Sequence, residues 1–227
     1  MTVLITGANR GLGLALVKEA LANNEQVIAT YRQDSGELST ITDPSLITFT
    51  CDVAEDSSVE QLANHIKARG LPIDVLINNA GVLIGREQGL LDVSMEVCLQ
   101  AFNVNTLGPL RMVQAIYPLM TTSAEKCIIN ISSESASLTN AYAKDFPYGL
   151  SKVALNMVTE KVYSECKDEN VVVYSVHPGW MHTDMGGEQA PLNPHEVASA
   201  IFTNFVIDKP AVGASRFFNY KGEVLSF

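Results

Sequence analysis

The chain is predicted to fold as an α/β protein, a single domain over residues 1–227 with a doubly wound parallel sheet of about seven strands and helices on both faces. Short β-branched apolar runs alternate along the chain with segments whose apolar residues recur at helical spacing. This alternation is typical of right-handed βαβ units, which build a parallel sheet covered on both sides. No repeat or linker interrupts the pattern, and the length fits one domain.

Seven short apolar runs are the predicted strands. In chain order they span residues 3–6, 26–31, 46–51, 73–77, 126–131, 171–176 and 215–218. Five segments with helical spacing are the predicted helices, at residues 11–23, 57–69, 94–120, 147–167 and 194–206. Gly108-Pro109 and Pro118 punctuate the third helix, and Asn193 is a good N-cap for the last. Because ligands bind beyond the carboxyl ends of strands in such sheets, we expect the site in the loops that follow them.

The composition argues against several classes of function. The net charge is −10 and the isoelectric point is near 4.8, which opposes binding to nucleic acid or to an anionic membrane. The sequence shows neither a signal peptide nor an apolar run of about 18 residues, so a cytoplasmic protein is expected. The cysteines lack paired spacing and nearby histidines, which predicts reduced thiols and no metal site: Cys51, Cys98, Cys127 and Cys166.

A glycine-rich turn joins the first predicted strand to the first predicted helix. Residues 6–13 form the sequence TGANRGLG, in which the glycines have a G-xxx-G-x-G spacing. Glycines let the backbone turn tightly and approach a pyrophosphate, which then meets the N–H groups and the positive end of the helix. This placement favours dinucleotide binding over a purely structural turn. The candidate contacts are Gly7, Asn9, Arg10, Gly11, Leu12 and Gly13.

The end of the second predicted strand indicates which dinucleotide is bound. NAD usually meets an acidic residue near this position, whereas an arginine accommodates the 2′-phosphate of NADP. Tyr31 and Arg32 occupy the position, and the first carboxylate after them is that of Asp34. Arg10 in the glycine turn adds a second guanidinium suited to bidentate phosphate contact. The sequence therefore predicts NADP(H), and an Arg32 that merely solvates a loop is the alternative.

Tyr148 and Lys152 stand one turn apart on one face of the fourth predicted helix. A tyrosine normally titrates near pH ~10, and a catalytic acid works best with a pKa near the operating pH. A buried cation beside the phenol is expected to lower the phenol pKa. The spacing alone is weak evidence, because Tyr163 and Lys167 repeat it on the same helix. The motifs elsewhere in the chain distinguish the first pair.

Five motifs occur together in one order. They are residues 6–13, Asn78-Asn79-Ala80-Gly81, Ile131-Ser132-Ser133, Tyr148 with Lys152, and Pro178-Gly179. Their order and spacing over residues 2–185 resemble those of the short-chain dehydrogenase/reductases. Residues 177–187 and 216–220 are similar to the small NADPH-dependent carbonyl reductases of the C-signal and Sniffer type. The resemblance implies a Rossmann fold.

The resemblance implies catalytic roles for three residues on helices. Tyr148 would be the general acid that gives a proton to the substrate carbonyl. Lys152 would lower the pKa of that phenol and hold the nicotinamide ribose. Asn105 would hold, through its main chain, a water linked to Lys152 and so maintain a proton relay. Asn103 is its rival by residue type.

A serine that binds and polarises the carbonyl is also implied. The family places this serine second in a Ser-Ser pair, which here is Ser133, with Ser132 as the runner-up. Ser133 precedes Tyr148 by fifteen residues, two more than is common in the family, and Ser135 would restore the common spacing. We prefer Ser133, because a strand end fixes its place and loops absorb insertions.

Further cofactor contacts follow from the same resemblance. Asp52 and Val53 would hold the adenine, Asp52 through its carboxylate, although a turn or a helix cap explains Asp52 nearly as well. The remaining contacts would be Asn79, Ala80 and Gly81 on the adenosine-ribose side, and Pro178, Gly179, Met181 and Thr183 around the nicotinamide. Trp180 would line the substrate mouth or, equally, pack in the core. The lone histidines are expected to be structural or exposed: His177, His182 and His195.

These roles predict an enzyme that reduces a ketone or aldehyde by hydride transfer from NADPH. A regulatory Rossmann protein that binds NADP(H) without turnover is the alternative of another class, and it would not need the serine, tyrosine and lysine. NAD-dependent oxidation of an alcohol is the alternative within enzymes. The expected partners are a small carbonyl substrate and further copies of the chain, in a homodimer or homotetramer. Pairing in relatives uses two long helices, here residues 106–120 and 147–167, whose apolar faces would equally fit burial against the sheet: Leu107, Leu110, Val113, Leu155, Val158 and Val162.

Overall fold

One parallel sheet organises the chain. The computed structural model describes residues 1–120, 126–210, 213 and 215–227. Within them the strands are β1 (Thr2–Ile5), β2 (Gln26–Tyr31), β3 (Leu46–Thr50), β4 (Val75–Asn78), β5 (Lys126–Ile131), β6 (Val171–His177) and β7 (Phe217–Asn219). They pair in the order β3-β2-β1-β4-β5-β6-β7, and each pair is parallel. The direction of winding therefore reverses between β1 and β4, which is where sheets of this kind bind ligands.

Helices cover both faces of this sheet. They are α1 (Gly11–Ala22), α2 (Asp56–Ala68), α3 (Met95–Phe102), α4 (Gly108–Ile116), α5 (Phe146–Cys166) and α6 (Pro194–Ile201). Successive side chains of a strand point to opposite faces, so Val3 and Ile5 pack with α1 and α6, whereas Leu4 packs with α2 and α4. These three side chains are fully buried. The predicted doubly wound α/β fold, a Rossmann fold, is confirmed.

The segment predicted as one helix over residues 94–120 is divided in the structure. α3 ends at Phe102, a π-helical turn spans Asn103–Leu107, and α4 follows it. Pro109, in the first turn of α4, has no N–H to give to the carbonyl four residues earlier, which is that of Asn105. A 3-10 turn at Tyr117–Leu119 ends the segment, and α6 similarly runs into a π-helical turn at Phe202–Ile207.

Two of the predicted strands begin two residues later in the structure than the sequence predicted. β4 begins at Val75 rather than at residue 73, because Ile73 forms only an isolated bridge with Met120. β7 spans Phe217–Asn219, whereas the sequence predicted residues 215–218. These differences of two residues or fewer leave the carboxyl ends of both strands at the same edge of the sheet, beside the candidate site.

Part of the expected subunit interface is occupied by the protein's own core. Val113, Leu155 and Val162 are buried within the chain, so the alternative, burial against the sheet, holds for them. The exposed apolar side chains of this region lie elsewhere on α3 and α5, which are packed together: Met95, Leu99, Phe102, Leu150 and Met157. An apolar surface therefore exists on these two helices, made by different residues.

Three expectations from the composition concern the cysteines, membrane-spanning helices and metal sites. All four cysteines are free thiols, and burial raises the pKa of Cys51 to about 11. Among the helices in the described ranges, none is both long and apolar enough to cross a bilayer. In the same ranges, no three acidic, histidine or cysteine side chains are grouped so as to hold a metal ion.

Candidate active site

The turn after β1 is packed so closely that two of its glycines have no room for a side chain. Gly7 has a φ of +62°, and a Cβ there would lie 2.8 Å from the Cα of Ala80. A Cβ on Gly13 would lie 2.3 Å from the carbonyl oxygen of Gly7. The glycines are thus required by the close approach of the turns after β1 and β4 as well as by any ligand.

The turn after β4 is tied to the turn after β1 by hydrogen bonds. The backbone N–H groups of Asn79 and Ala80 both donate to Thr6 Oγ1, at 3.0 Å each. The amide of Asn79 donates to the carbonyls of Thr6 and Gly7, at 2.9 and 3.0 Å. The side chain of Asn79 therefore supports the glycine turn.

The start of α1 fits a pyrophosphate. Arg10 occupies the N-cap position with extended backbone and gives no side-chain hydrogen bond to the helix. Backbone N–H groups of a first helical turn have no intrahelical partner, so in this uncapped turn they can bind an anion. Leu12 is buried in the core, and only its backbone can contribute. The glycine turn and the uncapped helix together fit the dinucleotide that the sequence predicts.

Three polar residues around the end of β2 differ in the hydrogen bonds and ion pairs that their side chains make. Asn9 donates through its amide to the carbonyl of Asp34 at 2.9 Å, which ties the glycine turn to the loop after β2. Arg10 forms an ion pair with Asp184 at 3.1 Å, and both side chains are about three-quarters exposed. Arg32 is exposed and pairs with no acidic side chain of the described ranges. Two guanidinium groups thus lie near the place predicted for the 2′-phosphate, and only one of them has a carboxylate partner.

Asp52 forms a turn, as its alternative interpretation predicts. Its Oδ1 accepts a hydrogen bond from the N–H of Ala54 at 3.0 Å, and its own N–H donates to Ser58 Oγ at 2.9 Å. Val53 is buried, and a Cβ on Gly108 would lie 2.9 Å from its Cγ2. The side chain of Asp52 therefore holds the turn after β3, and the side chain of Val53 packs against the start of α4.

Of the adjacent serines, only one faces the tyrosine. The hydroxyl of Ser133 hydrogen-bonds Tyr148. Ser132 is buried and donates to Asn156 Oδ1 at 2.7 Å, so it points into the core. Ser135 lies one hydrogen bond further from the phenol, because its Oγ accepts from Ser133 Oγ at 3.2 Å. The structure thus brings Ser133 to the predicted proton donor, places Ser135 behind it and excludes Ser132.

Lys152 lies behind the phenol in a buried position. Its Nζ is 5.5 Å from the centroid of the Tyr148 ring and donates to the carbonyl of Ile131 at 2.7 Å. Burial lowers the pKa of Lys152 from 10.5 to about 7. The second pair with this spacing is engaged elsewhere, since Arg216 stacks over the ring of Tyr163 at 3.6 Å.

The pKa of Tyr148 moves in the direction opposite to the predicted one. Burial raises it from 10.0 to about 12, and the hydrogen bond from Ser133 opposes this only in part. Asp145 and Tyr142 raise it further. The expected lowering by Lys152 is therefore wrong for these residues, because desolvation of the phenolate is the largest effect and the lysine charge is itself disfavoured by burial.

Asn105 is fully buried and uses its side chain as a clamp. Its amide donates to the carbonyl of Val82 at 2.9 Å and to Ser151 Oγ at 3.0 Å, while its Oδ1 accepts from the N–H of Val82 at 2.8 Å. A Cβ on Gly81 would lie 3.3 Å from Asn105 Oδ1 and 3.8 Å from Lys152 Nζ, so the two residues adjoin the same point.

The rival asparagine points away from this position. The amide of Asn103 donates instead to the carbonyl of Ala54, at 3.4 Å. Sequence reasoning missed both the clamp and the π-helical turn in which Asn105 lies. The available signal was Pro109, four residues after Asn105, which interrupts the helical hydrogen bonding of that carbonyl.

The segment after β6 lies beside the glycine turn. Gly179 has a φ of +81°, and a Cβ there would lie 2.4 Å from Leu192 Cδ1. Met181 and Leu192 form an isolated parallel bridge, which folds the segment back on itself. The methyl group of Thr183 is 3.4 Å from the position of a Cβ on Gly11, and its hydroxyl accepts from the N–H of Gly186 at 3.1 Å. The predicted nicotinamide contacts are thus next to the predicted pyrophosphate contacts.

Trp180 is a surface residue. Its side chain is 51% exposed, and its indole N–H donates to the carbonyl of Gly186 at 2.7 Å, so the alternative of a core aromatic is wrong. His182 and His195 are exposed. His177 accepts a hydrogen bond at Nδ1 from the N–H of Glu134 at 3.1 Å, and burial lowers its pKa. The histidines are structural or exposed, as expected.

Known proteins resemble this chain over most of its length. The family model described as short chain dehydrogenase matches residues 1–193. The C-signal protein of Myxococcus xanthus is 37% identical over 154 residues, which cover 66% of this chain and 90% of that protein. The carbonyl reductase Sniffer of D. melanogaster superposes with a TM-score of 0.91 at 29% identity, covering 100% of this chain and 99% of that one. The NADPH-bound carbonyl reductase from chicken fatty liver superposes with a TM-score of 0.90 at 28% identity, covering 100% and 94%.

Proposed function

Because the chain belongs to the short-chain dehydrogenase family of oxidoreductases, we propose that it reduces a ketone or aldehyde to an alcohol with NADPH, using Tyr148 as the general acid. The observation that supports this most is the hydrogen bond between Tyr148 and Ser133 at the carboxyl edge of the sheet. A carbonyl oxygen placed between these two hydroxyls would receive two hydrogen bonds. The carbonyl reductases that this chain resembles supply the reaction type.

Each residue of the proposed site has a distinct task. NADPH, when bound, supplies the hydride. Ser133 orients the carbonyl and stabilises the negative charge that develops on its oxygen. Tyr148 holds a proton on its hydroxyl and transfers it to that oxygen. With its pKa raised to about 12, the phenol keeps this proton at neutral pH until the oxygen becomes an alkoxide, which is a stronger base than a phenolate.

Lys152 and Asn105 hold the site together from behind. The ammonium of Lys152 would donate to the nicotinamide ribose while it keeps its bond to the carbonyl of Ile131. Asn105 fixes the backbone after β4 through its two hydrogen bonds with Val82. Its main-chain carbonyl would hold a water beside Lys152, as the resemblance implies, since Pro109 cannot donate to it.

NADPH is proposed over NADH on the basis of charge. Arg10 lies in the glycine turn and Arg32 directly follows β2, which are the positions where the ribose phosphate is predicted, and no carboxylate directly follows β2. A 2′-phosphate would gain charge-assisted hydrogen bonds from these groups. Asp52 and Val53 at the end of β3 would border the adenine through their backbone, since their side chains are engaged.

A homodimer or homotetramer is proposed as the working form. The exposed apolar residues on the adjoining helices α3 and α5 support it, because contiguous apolar surface is typical of subunit interfaces. Leu99 is 69% exposed and Met157 is 57% exposed, so both would be covered by a second copy.

Turnover is tested by following the absorbance of NADPH with a panel of ketones and aldehydes. We expect consumption with at least one of them, and Tyr148→Phe should lower kcat by about 100-fold or more, because a direct proton donor contributes that much. The variant should bind NADPH as the wild type does. Tight NADPH binding without consumption by the wild type would instead support a regulatory protein, and activity retained by Tyr148→Phe would refute the assigned acid.

A further inference from the structure

A buried asparagine lies on α5 one helical turn after Lys152. Asn156 is 2% exposed, and its Oδ1 accepts hydrogen bonds from Ser132 Oγ at 2.7 Å and from Ser175 Oγ at 2.6 Å. Ser132 directly follows β5, and Ser175 lies in the neighbouring strand β6. One side-chain oxygen on α5 therefore binds the ends of two adjacent strands of the sheet.

The contact with Ser132 lies between two contacts of the proposed site. Ile131, the residue before it, accepts through its carbonyl the hydrogen bond of Lys152 at 2.7 Å. Ser133, the residue after it, is hydrogen-bonded to Tyr148. Side chains four residues apart lie on the same side of a helix. Three successive turns of α5 therefore bind three consecutive residues at the end of β5.

Ser132 is fixed to the sheet as well as to the helix. Its N–H donates to the carbonyl of Val176 at 2.8 Å, which adds one hydrogen bond to the parallel pairing of β5 with β6. The residue is 1% exposed. Because β6 holds its backbone and α5 holds its hydroxyl, Ser132 fixes the residues on either side of it, Ile131 and Ser133, relative to the helix that carries the proposed proton donor.

The amide nitrogen of Asn156 indicates that stability alone does not explain this residue. Its Nδ2 is buried, and none of the residues that the structure describes accepts a hydrogen bond from it. An unpaired buried donor costs about 1–3 kcal/mol, whereas each of the two serine hydrogen bonds contributes about 1 kcal/mol. The net contribution of Asn156 to stability is therefore small. Its constraint on the position of Ser132 is retained in full.

We propose that Asn156 is a positioning residue: by holding Ser132, it sets the distance between the hydroxyl of Ser133 and the phenol of the proton donor. The same contact places the carbonyl of Ile131 opposite Lys152. This proposal rests on the proposed function, in which a carbonyl oxygen lies between the serine and tyrosine hydroxyls. Without the asparagine, the end of β5 is free to shift away from α5 exactly between the two contacts that face the substrate and the cofactor.

The proposal is tested by single-turnover oxidation of bound NADPH, followed in a stopped-flow instrument. The rate constant reports the geometry of the reacting groups, and the amplitude reports the fraction of folded enzyme. In Asn156→Ala we expect the rate constant to fall by about tenfold or more, because a displacement of about 1 Å can cost about 100-fold. The amplitude and the KM for the carbonyl compound should change little. Partial unfolding would instead lower the amplitude and leave the rate constant as it is.

Ser132→Ala removes the other half of the same hydrogen bond. It should lower the rate constant as Asn156→Ala does, and the variant with both substitutions should be no slower than the slower of the two. If the losses in the double variant were additive, the two residues would act separately, and the proposed link would be wrong.

Thr159→Val is the matched control. Thr159 is also fully buried on α5, three residues further from the site, and its Oγ1 accepts from Asn130 Nδ2 of β5 at 2.9 Å. Its free energy of unfolding, measured with urea, should fall by about 1–3 kcal/mol, while the rate constant stays that of the wild type. A normal rate constant in Asn156→Ala, or an equal fall in Thr159→Val, would overturn the positioning role and leave the reductase intact. A wild type that oxidises no NADPH would overturn the proposed function itself.

Discussion

Asn105 binds both backbone polar groups of Val82 with a single side-chain amide. It accepts from the N–H at 2.8 Å and donates to the carbonyl at 2.9 Å, as a neighbouring strand would. The segment after β4 therefore continues to be held like a strand beyond the end of the sheet, by a residue from the π-helical turn. This places Gly81 against Lys152, at the centre of the site.

Asn105→Ala is expected to destabilise the fold. It removes three hydrogen bonds and leaves partly or fully buried partners without them, so the free energy of unfolding should fall by about 2 kcal/mol or more. Urea unfolding followed by circular dichroism measures the change. Asn103→Ala is the control, because its side chain makes one long bond and should cost about 0.5 kcal/mol or less. Equal losses in the two variants would contradict the clamp.

Lys152→Met should change how stability depends on pH. The folded-state pKa of Lys152 is about 7, below its ordinary value of 10.5. Between these values the unfolded chain binds a proton that the native protein does not, so this lysine makes stability rise with pH. Its penalty is complete below pH ~7 and disappears above pH ~10.

Lys152→Met lacks this penalty, so the free energies of unfolding of the variant and the wild type can be compared at each pH. Its free energy of unfolding relative to the wild type should be highest near pH ~7 and should fall towards pH ~10, by about 1.4 kcal/mol per unit of the pKa change. Urea titrations at several pH values provide it. Lys167→Met, which removes an exposed lysine, serves as the reference and should show a flat difference. A flat difference for Lys152→Met as well would mean that the buried amine keeps an ordinary pKa.

Arg32→Ala should weaken NADPH binding and leave NADH binding unchanged. Losing a charge-assisted contact to the 2′-phosphate is expected to raise the Kd for NADPH by about tenfold or more. Calorimetry with both cofactors tests this. Arg69→Ala is the matched control, because Arg69 stacks on Phe49 at 5.4 Å rather than facing the glycine turn. If Arg32→Ala raised the Kd of NADPH and of NADH equally, Arg32 would not contact the 2′-phosphate.

Leu99→Glu and Met157→Glu should each shift the protein towards a monomer. A charge placed on α3 or α5 would be buried in the proposed interface without a partner, which is costly. Light scattering coupled to size-exclusion chromatography measures the mass. Leu91→Glu is the control, since Leu91 is 98% exposed and lies outside both helices. A monomeric wild type would rule out the proposed assembly.

The sheet could be predicted because its signal is local. Strands of a parallel sheet are buried on both faces, so β1 and β5 each contain a short unbroken apolar run, Val3-Leu4-Ile5 and Cys127-Ile128-Ile129. The positions at their carboxyl ends follow directly, and Gly7 and Ser133 were found in this way. The sequence shows that these residues directly follow strands. The topology of the sheet then determines where they lie in the structure.

Apart from Pro109, which was a local signal for the π-helical turn, the remaining features depend on tertiary contacts that no local pattern encodes. The π-helical turn at Asn103–Leu107 has ordinary helical apolar spacing, and only its hydrogen bonding differs. The raised pKa of Tyr148 comes from burial, whereas the spacing to Lys152 suggested the opposite direction. The exposure of Trp180 likewise could not be decided from its residue type.

The parallel arrangement of β1, β4, β5 and β6 has a consequence for how such proteins tolerate change in length. Gly7, Asn79, Ser133 and Gly179 each lie within two residues of a strand's last residue, so the sheet sets their mutual distances without reference to what comes next. Residues can be added further along these connections, as between Ser133 and Tyr148, and the contributing groups stay where they are. One residue inserted inside any of these four strands would instead change the register of that strand. The residue at its carboxyl end would then be displaced relative to the other three. Deletion and insertion scanning across this chain should therefore find function robust in the connections and fragile in very short stretches at the strand tips.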